Sequence, residues 1–259
     1  MDQAQYSLEG KTALITGGSR GIGEATAFTF AKAGADVAIT SRKLPDLERV
    51  AAEIKKMGRK SLAVACHIGR LEQLQPLVDQ VNQEFGKIDI LVNNAGNSFF
   101  QPALEISEKA WDTVFNLNLK GLFFLSQAVA RLMVNQGGGS IINVSSTAGI
   151  RPQVPTAHYS IAKAGVNMVT KVLAKEWCQY NIRVNGVAPG AVETRMLQAA
   201  LDGLSEDQEK AARKEFTKNI PMKRIGEPQE MADAILFLAS RASSFVTGHT
   251  IAVDGGVLL

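Results

Sequence analysis

Short apolar runs alternate with longer stretches of helical period along the whole chain. The runs are Thr12–Thr16, Val37–Thr40, Ser61–Ala65, Ile88–Val92, Ser140–Val144, Arg183–Val187 and Thr250–Val253. Brief, nearly continuous apolar stretches such as Ala-Leu-Ile suit strands covered on both faces. The helical stretches fall near residues 22–33, 45–57, 71–85, 107–135, 157–179 and 227–240. This alternation predicts one α/β domain, a doubly wound parallel sheet with helices on both faces and right-handed crossovers. Neither a linker nor a repeat of fixed period interrupts it, so the domain is expected to span residues 1–259. One segment breaks the rhythm. Residues 194–222 mix acids and bases between the sixth and seventh strands. Ligands of open α/β sheets bind outside the carboxyl ends of strands, so this insertion is expected to be a substrate loop. A plain surface excursion is the alternative.

Composition changes the picture mainly by exclusion. Nearly half the residues are apolar, a fifth are charged and the net charge is +3. The basic clusters Lys55-Lys56 and Arg59-Lys60 are too short for a nucleic-acid stripe, so no nucleic-acid partner is expected. Cys66 and Cys178 lie far apart, and His67, His158 and His249 are dispersed. No metal-ligand spacing results, and no metal is expected. Residues 1–10 are polar and no run reaches the roughly 18 apolar residues of a membrane span. A cytoplasmic protein without a membrane partner is the expectation.

The first strand leads into Thr16-Gly17-Gly18-Ser19-Arg20-Gly21-Ile22-Gly23, and a helix starts at once. Glycines let the backbone approach a ligand closely, and the helix N-terminus offers free N–H groups to a pyrophosphate. A glycine-rich loop alone is weak, since turns also collect glycine. Its strand–loop–helix setting points to a Rossmann-like dinucleotide site. NAD sites usually place an acid at the end of the second strand. Here Ser41-Arg42 stand there instead, and Arg20 lies within the loop. Two guanidiniums can hold a 2′-phosphate, so NADP(H) is favoured over NAD(H).

Tyr159 and Lys163 are four residues apart on a predicted helix and share a face. Carbonyl reduction needs a proton donor for the developing alkoxide, and a phenol ordinarily titrates near pH 10. An ammonium one turn away stabilises the phenolate, so Lys163 is expected to lower the pKa of Tyr159. Ser146, just after the fifth strand, can donate to the substrate oxygen as charge grows. Ser145 is the neighbouring candidate.

Together the Gly-x₃-Gly-x-Gly loop, Tyr159-x₃-Lys163 and the serine thirteen residues before the tyrosine resemble the short-chain dehydrogenase/reductase family. The resemblance runs from about Leu8 to Val257, and its motifs are specific jointly rather than singly. It favours Ser146 over Ser145 and implies that Asn118 is a fourth catalytic residue, holding a water that relays protons to Lys163. It also implies a turn at Asn94-Ala95-Gly96 lining the adenine ribose. Pro189-Gly190-Ala191-Val192-Glu193-Thr194 would hold the nicotinamide carboxamide through Val192 and Thr194. At His67-Ile68 the family typically carries Asp-x for the adenine amino group, so this contact departs from the pattern. The implied assembly is a homotetramer, with the 107–135 and 157–179 helices as one seam and Val257-Leu258-Leu259 buried at another interface. A tail packed on its own subunit would explain those last residues equally well.

The substrate is expected to be a small carbonyl or alcohol. Walls from Ser98–Gln101, Thr147–Pro155 and 194–222 supply Phe99, Phe100, Ile150, Val154, Met196 and Leu197, with Arg151 as a charged contact. A mostly apolar pocket suits a 3-oxoacyl thioester or cyclic ketone. The chain is similar overall to bacterial 3-oxoacyl reductases and related ketone reductases. By alignment, two basic carrier-docking positions hold Gly137 and Tyr180 here, although Arg131 and Lys175 lie nearby. A sugar-acid or polyol dehydrogenase shares every motif. A dinucleotide-binding sensor without turnover would be expected to lack Tyr159 or Lys163.

Overall fold

A computed structural model describes residues 3–259. In chain order the elements are β1 (Thr12–Thr16), α1 (Gly21–Lys32), β2 (Asp36–Ser41), α2 (Leu44–Lys56), β3 (Ser61–Ala65), α3 (Leu74–Phe85), β4 (Ile90–Asn93), α4 (Glu108–Phe115), α5 (Gly121–Asn135) and β5 (Gly139–Val144). Then follow α6 (Ala157–Trp177), β6 (Ile182–Pro189), α7 (Arg195–Leu201), α8 (Glu206–Lys218), α9 (Pro228–Ala239) and β7 (Thr250–Val253). The strands form one parallel sheet in the order β3-β2-β1-β4-β5-β6-β7. This is the expected doubly wound Rossmann-like architecture.

Successive strand residues point to opposite faces, and both faces are covered. Ala13 and Ile15 of β1 join Val37 and Ile39 of β2 in a cluster with Phe30 of α1, Leu47 and Ile54 of α2, and Ile235 of α9. Leu14 and Ala38 point the other way, into a cluster with Leu77 and Val81 of α3, Leu125 and Met133 of α5, and Leu173 of α6. The apolar runs are therefore short because a strand needs only four or five residues to cross a core filled from both sides.

Strand order reverses between β1 and β4, which opens a crevice at their carboxyl ends. The two ends are tied together. Thr16 Oγ1 accepts from the backbone N–H groups of Asn94 and Ala95, each at 2.9 Å, and Asn94 Nδ2 donates to Thr16 O at 2.9 Å.

Three local features refine the expected elements. The 107–135 stretch is one continuous helix, but residues Asn116–Lys120 form a π-turn between α4 and α5. This helix is long and apolar enough by length and composition to cross a membrane. Its residues Leu125, Val129, Ala130 and Met133 are instead packed in the core under the sheet. The apolar run predicted at Ile88–Val92 yields a strand that begins at Ile90. Ile88 is fully buried, but its N–H turns to the Gln136 side chain rather than to a ladder. The 194–222 segment folds largely into α7 and α8, and α8 opens with a capping box between Ser205 and Gln208.

Candidate active site

Four side chains converge beyond β4, β5 and α6. Lys163 is only 4 % exposed, and its Nζ donates to Val144 O at 2.7 Å, so the ammonium is anchored on the end of β5. Nζ lies 5.6 Å from the centre of the Tyr159 ring. Asn118 is fully buried inside the π-turn, where its Nδ2 donates to Asn97 O, Asn97 Oδ1 and Val114 O at 2.9 to 3.0 Å. Its Oδ1 has no partner among the described residues. Gly96 packs between these groups: a Cβ there would fall 2.7 Å from Asn118 Oδ1 and 3.6 Å from Lys163 Nζ. π-turns in helices recur at functional sites because the extra residue redirects a side chain that a regular helix would place elsewhere.

The two serines separate cleanly. Ser145 is buried and its hydroxyl donates to Lys163 O at 3.1 Å, bracing α6 against β5. Ser146 Oγ accepts from the Ala148 N–H at 3.1 Å and hydrogen-bonds Tyr159. The geometry thus groups Ser146, rather than Ser145, with the tyrosine.

Electrostatics differ from the sequence expectation at one point. Burial pushes the Tyr159 phenol up from its ordinary value, and the hydrogen bond with Ser146 is the opposing influence. Lys163 is itself pulled down to about 8 by burial. The reason is desolvation: a low-dielectric site disfavours both the phenolate and the ammonium. Tyr159 is consequently neutral at neutral pH, the form required of a proton donor. Beside it, His158 is fully buried, stacks on Phe99, and has no partner for either ring nitrogen among the described residues.

The groove over β1, β2 and β3 has a different character. No side chain caps the N-terminus of α1, so its first-turn N–H groups stay available. Gly17 has φ +67°, and a Cβ there would come within 2.8 Å of Asn94 Nδ2. The floor is bare backbone, which fits a pyrophosphate. Gly21 faces Thr194, whose Cγ2 would lie 3.4 Å from a Cβ at that glycine. The glycine loop and the Pro189–Thr194 segment therefore meet across the crevice. That segment is fixed by Gly190 N–H to Val253 O, by a bridge between Val192 and Gly226, and by Thr194 Oγ1 to Val192 O at 3.2 Å. Ser19 and Gly23 are buried, Ile22 packs against the core, and Pro189 is buried at the end of β6.

At the end of β2, Ser41 is half-buried and Arg42 exposed. Neither Arg20 nor Arg42 has an ion pair among the described residues. The sequence reading missed Arg49. Its Nη2 donates to Ser19 O at 3.2 Å and pairs with Glu24 Oε1 at 2.8 Å, clasping the glycine loop from α2. Only its surface helical position was visible in sequence. At the end of β3, His67 is half-buried and Ile68 buried. The 194–222 segment is joined to the crevice by a second unforeseen contact, the ion pair between Arg213 of α8 and Glu193, with Glu209 on the same guanidinium. Cys66 is buried, with its thiol pushed up to about 11 by burial, and Cys178 is exposed.

Comparison with known proteins places the chain in a family. A family model described as Enoyl-(Acyl carrier protein) reductase matches residues 17–258. The chain is 41% identical over 254 residues to 2-dehydro-3-deoxy-D-gluconate 5-dehydrogenase of Escherichia coli (strain K12), covering 98% of this chain and 97% of that relative. It is 41% identical over 252 residues to the 3-oxoacyl-(acyl-carrier-protein) reductase FabG of Thermotoga maritima, covering 97% and 99%. Among solved structures, a gluconate 5-dehydrogenase from Burkholderia cenocepacia J2315 in complex with NADP and tartrate superposes with a TM-score of 0.93. It is 35% identical and the match covers 100% of this chain and 99% of that one. Fold, crevice and near full-length similarity converge: the chain belongs to the short-chain dehydrogenase/reductase family of NAD(P)-dependent oxidoreductases.

Proposed function

We propose that this chain interconverts a ketone and a secondary alcohol with NADP(H), with Ser146, Tyr159, Lys163 and Asn118 as its catalytic residues. The observation that carries the reading is the convergence of a neutral, half-buried phenol, a serine bonded to it and a buried ammonium beside an open backbone cradle. When bound, the nicotinamide supplies or accepts the hydride. Ser146 and Tyr159 hold the carbonyl oxygen, and their hydroxyls concentrate hydrogen bonding where negative charge develops. Tyr159 donates the proton to that oxygen. Lys163, fixed by Val144 O, keeps a cation near the phenol and has further N–H groups for the cofactor ribose. The unpartnered Asn118 Oδ1 orders the water through which a proton reaches Lys163.

The cofactor residues follow from the same groove. Gly17, Ser19, Gly21, Ile22 and Gly23 cradle the pyrophosphate; Arg20, Ser41 and Arg42 hold the 2′-phosphate. Asn94, Ala95 and Gly96 line the ribose, His67 and Ile68 meet the base, and Pro189, Gly190, Val192 and Thr194 hold the carboxamide. The unpaired guanidiniums of Arg20 and Arg42 support NADP(H) over NAD(H). Residues 194–222 act as the substrate lid.

The exposed apolar rim of Phe99, Phe100, Ile150, Val154 and Met196 supports a 3-oxoacyl thioester or similar ketone as substrate. Arg151, exposed on the same rim and donating to Val257 O at 3.3 Å, supports the second reading, a sugar acid with its carboxylate on that guanidinium. Turnover on 3-oxoacyl thioesters, cyclic ketones and keto sugar acids, with NADPH and NADH in parallel, tests both. Thioester turnover with NADPH preference is expected; turnover confined to keto sugar acids would replace the first reading by the second, and preference for NADH would overturn the cofactor choice. Assembly as a homotetramer is also proposed, supported by exposed Phe124 on α5 and Ile161, Met168 and Val172 on α6. A sedimentation mass of one or two chains would contradict it.

A further inference from the structure

A cradle of backbone N–H groups holds an anion only if those groups are unspent and no acceptor opposes the incoming charge. The first condition is met from Arg20 to Gly23. Arg20 precedes α1 and its N–H has no acceptor among the described residues, while the next three N–H groups open a helix that no side chain caps. Two oxygens beside the loop endanger the second condition. Glu24 is the acid of the first turn of α1, and Ser19 O belongs to the same peptide as the Arg20 N–H. One atom takes both. Arg49 Nη2, reaching across from α2, pairs with Glu24 Oε1 at 2.8 Å and donates to Ser19 O at 3.2 Å. The C=O and N–H of a trans peptide point in opposite directions, so drawing Ser19 O to Arg49 turns the Arg20 N–H away from that guanidinium.

Folding stability accounts for little of this arrangement. The Arg49 and Glu24 side chains are 56% and 22% exposed, and ion pairs at such positions contribute little to stability. Their place is what sets them apart. A carboxylate released there would bend back onto the free N–H groups, as acids in a first helical turn do, and would repel a phosphate. Resting on the dinucleotide reading above, we infer that Arg49 is a positioning residue of the phosphate cradle: it sequesters Glu24 and Ser19 O, so that the N–H groups from Arg20 to Gly23 meet the pyrophosphate unopposed. Arg49 acts through the loop and not on the 2′-phosphate. Its effect is therefore the same for NADPH and NADH, which share the pyrophosphate, whereas the Arg20 and Arg42 side chains serve the 2′-phosphate alone.

The test is a double-mutant cycle read by calorimetric binding of NADPH and of NADH to wild type, Arg49→Ala, Glu24→Gln and the double variant, each checked for folding by circular dichroism. Arg49→Ala should raise both Kd values by about tenfold, the scale of one charge-assisted hydrogen bond, and keep their ratio within about twofold. Glu24→Gln alone should change neither Kd by more than about twofold, because its carboxylate is already held. In the Arg49→Ala background it should recover at least about threefold, because only there is the carboxylate loose. A loss confined to NADPH would make Arg49 a reader of the 2′-phosphate and overturn the inference, as would a change below about twofold for both cofactors. Equal effects of Glu24→Gln in the two backgrounds would reduce the pair to a general charge effect and overturn the sequestering role. Failure of wild-type protein to bind either cofactor would overturn the dinucleotide reading itself, an outcome distinct from all of these.

Discussion

The two halves of the crevice solve opposite problems. On the β4–β6 side the proposed reacting groups are locked: Lys163 by Val144 O, Asn118 by three carbonyl oxygens, and α6 itself by the Ser145 hydroxyl. On the β1–β3 side the proposed recognition groups are long, exposed and unpaired, with Arg20 and Arg42 the clearest cases. Burial magnifies every charge and makes the first half intolerant of change. Solvent and salt screen the second half, so its contributions are graded and separable. On the proposed reading, chemistry is set by geometry and cofactor choice by surface charge.

The hardest blow to the locked half is Tyr159→Phe, which keeps the ring and removes the proton. Turnover should fall by roughly 10²–10⁴-fold, while NADPH affinity by fluorescence titration stays within about threefold of wild type. Retained turnover would remove Tyr159 from the mechanism and dissolve the contrast.

Lys163→Met probes the same half through stability. The folded-state value of about 8 lies below the ordinary 10.5, so unfolding takes up a proton between those two pH values. Wild-type stability should consequently rise with pH across that window, by up to about 3 kcal/mol from this group, and the buried charge costs most below pH 8. Denaturant melts at pH 7 and pH 10 should show this rise relative to Lys163→Met. Parallel pH dependence in the two proteins would show that Lys163 is not the desolvated ammonium described.

On the graded half, Arg42→Ala or Arg20→Ala should each raise the KM for NADPH by about tenfold, as expected for one charge-assisted hydrogen bond. The KM for NADH should stay within about twofold. An equal rise for both cofactors would mean that these residues support the loop rather than read the phosphate.

What could be read in the sequence divides along similar lines. The sheet was legible because each strand is a short run buried on two faces, and α1 through α6 because their apolar positions repeat. The helices α7 and α8 were not read as helices: α8 buries no side chain, so no periodicity marks it. Its one signal was the Ser205-x-x-Gln208 capping box. Tyr159, Lys163 and Ser146 were visible as a spaced set. The upward push on Tyr159 was not, because spacing reports neighbours but not loss of solvent. Arg49 and the Arg213–Glu193 pair were hidden for another reason: tertiary ion pairs between surface positions leave no local pattern.

The π-turn at Asn116–Lys120 also acts as a spacer between two helices. Before it, α4 buries Val114; after it, α5 buries Leu122, Leu125, Val129 and Met133 against the sheet. The wider turn takes up one extra residue within a full rotation, so α4 and α5 keep the facing of a single continuous helix. A single-residue deletion there would let the backbone relax into a regular helix with both buried faces in place, but Asn118 would lose the turn that gives it its three acceptors. The loop before α4 and the core beneath α5 thus keep one register, with Asn118 set inside the spacer between them.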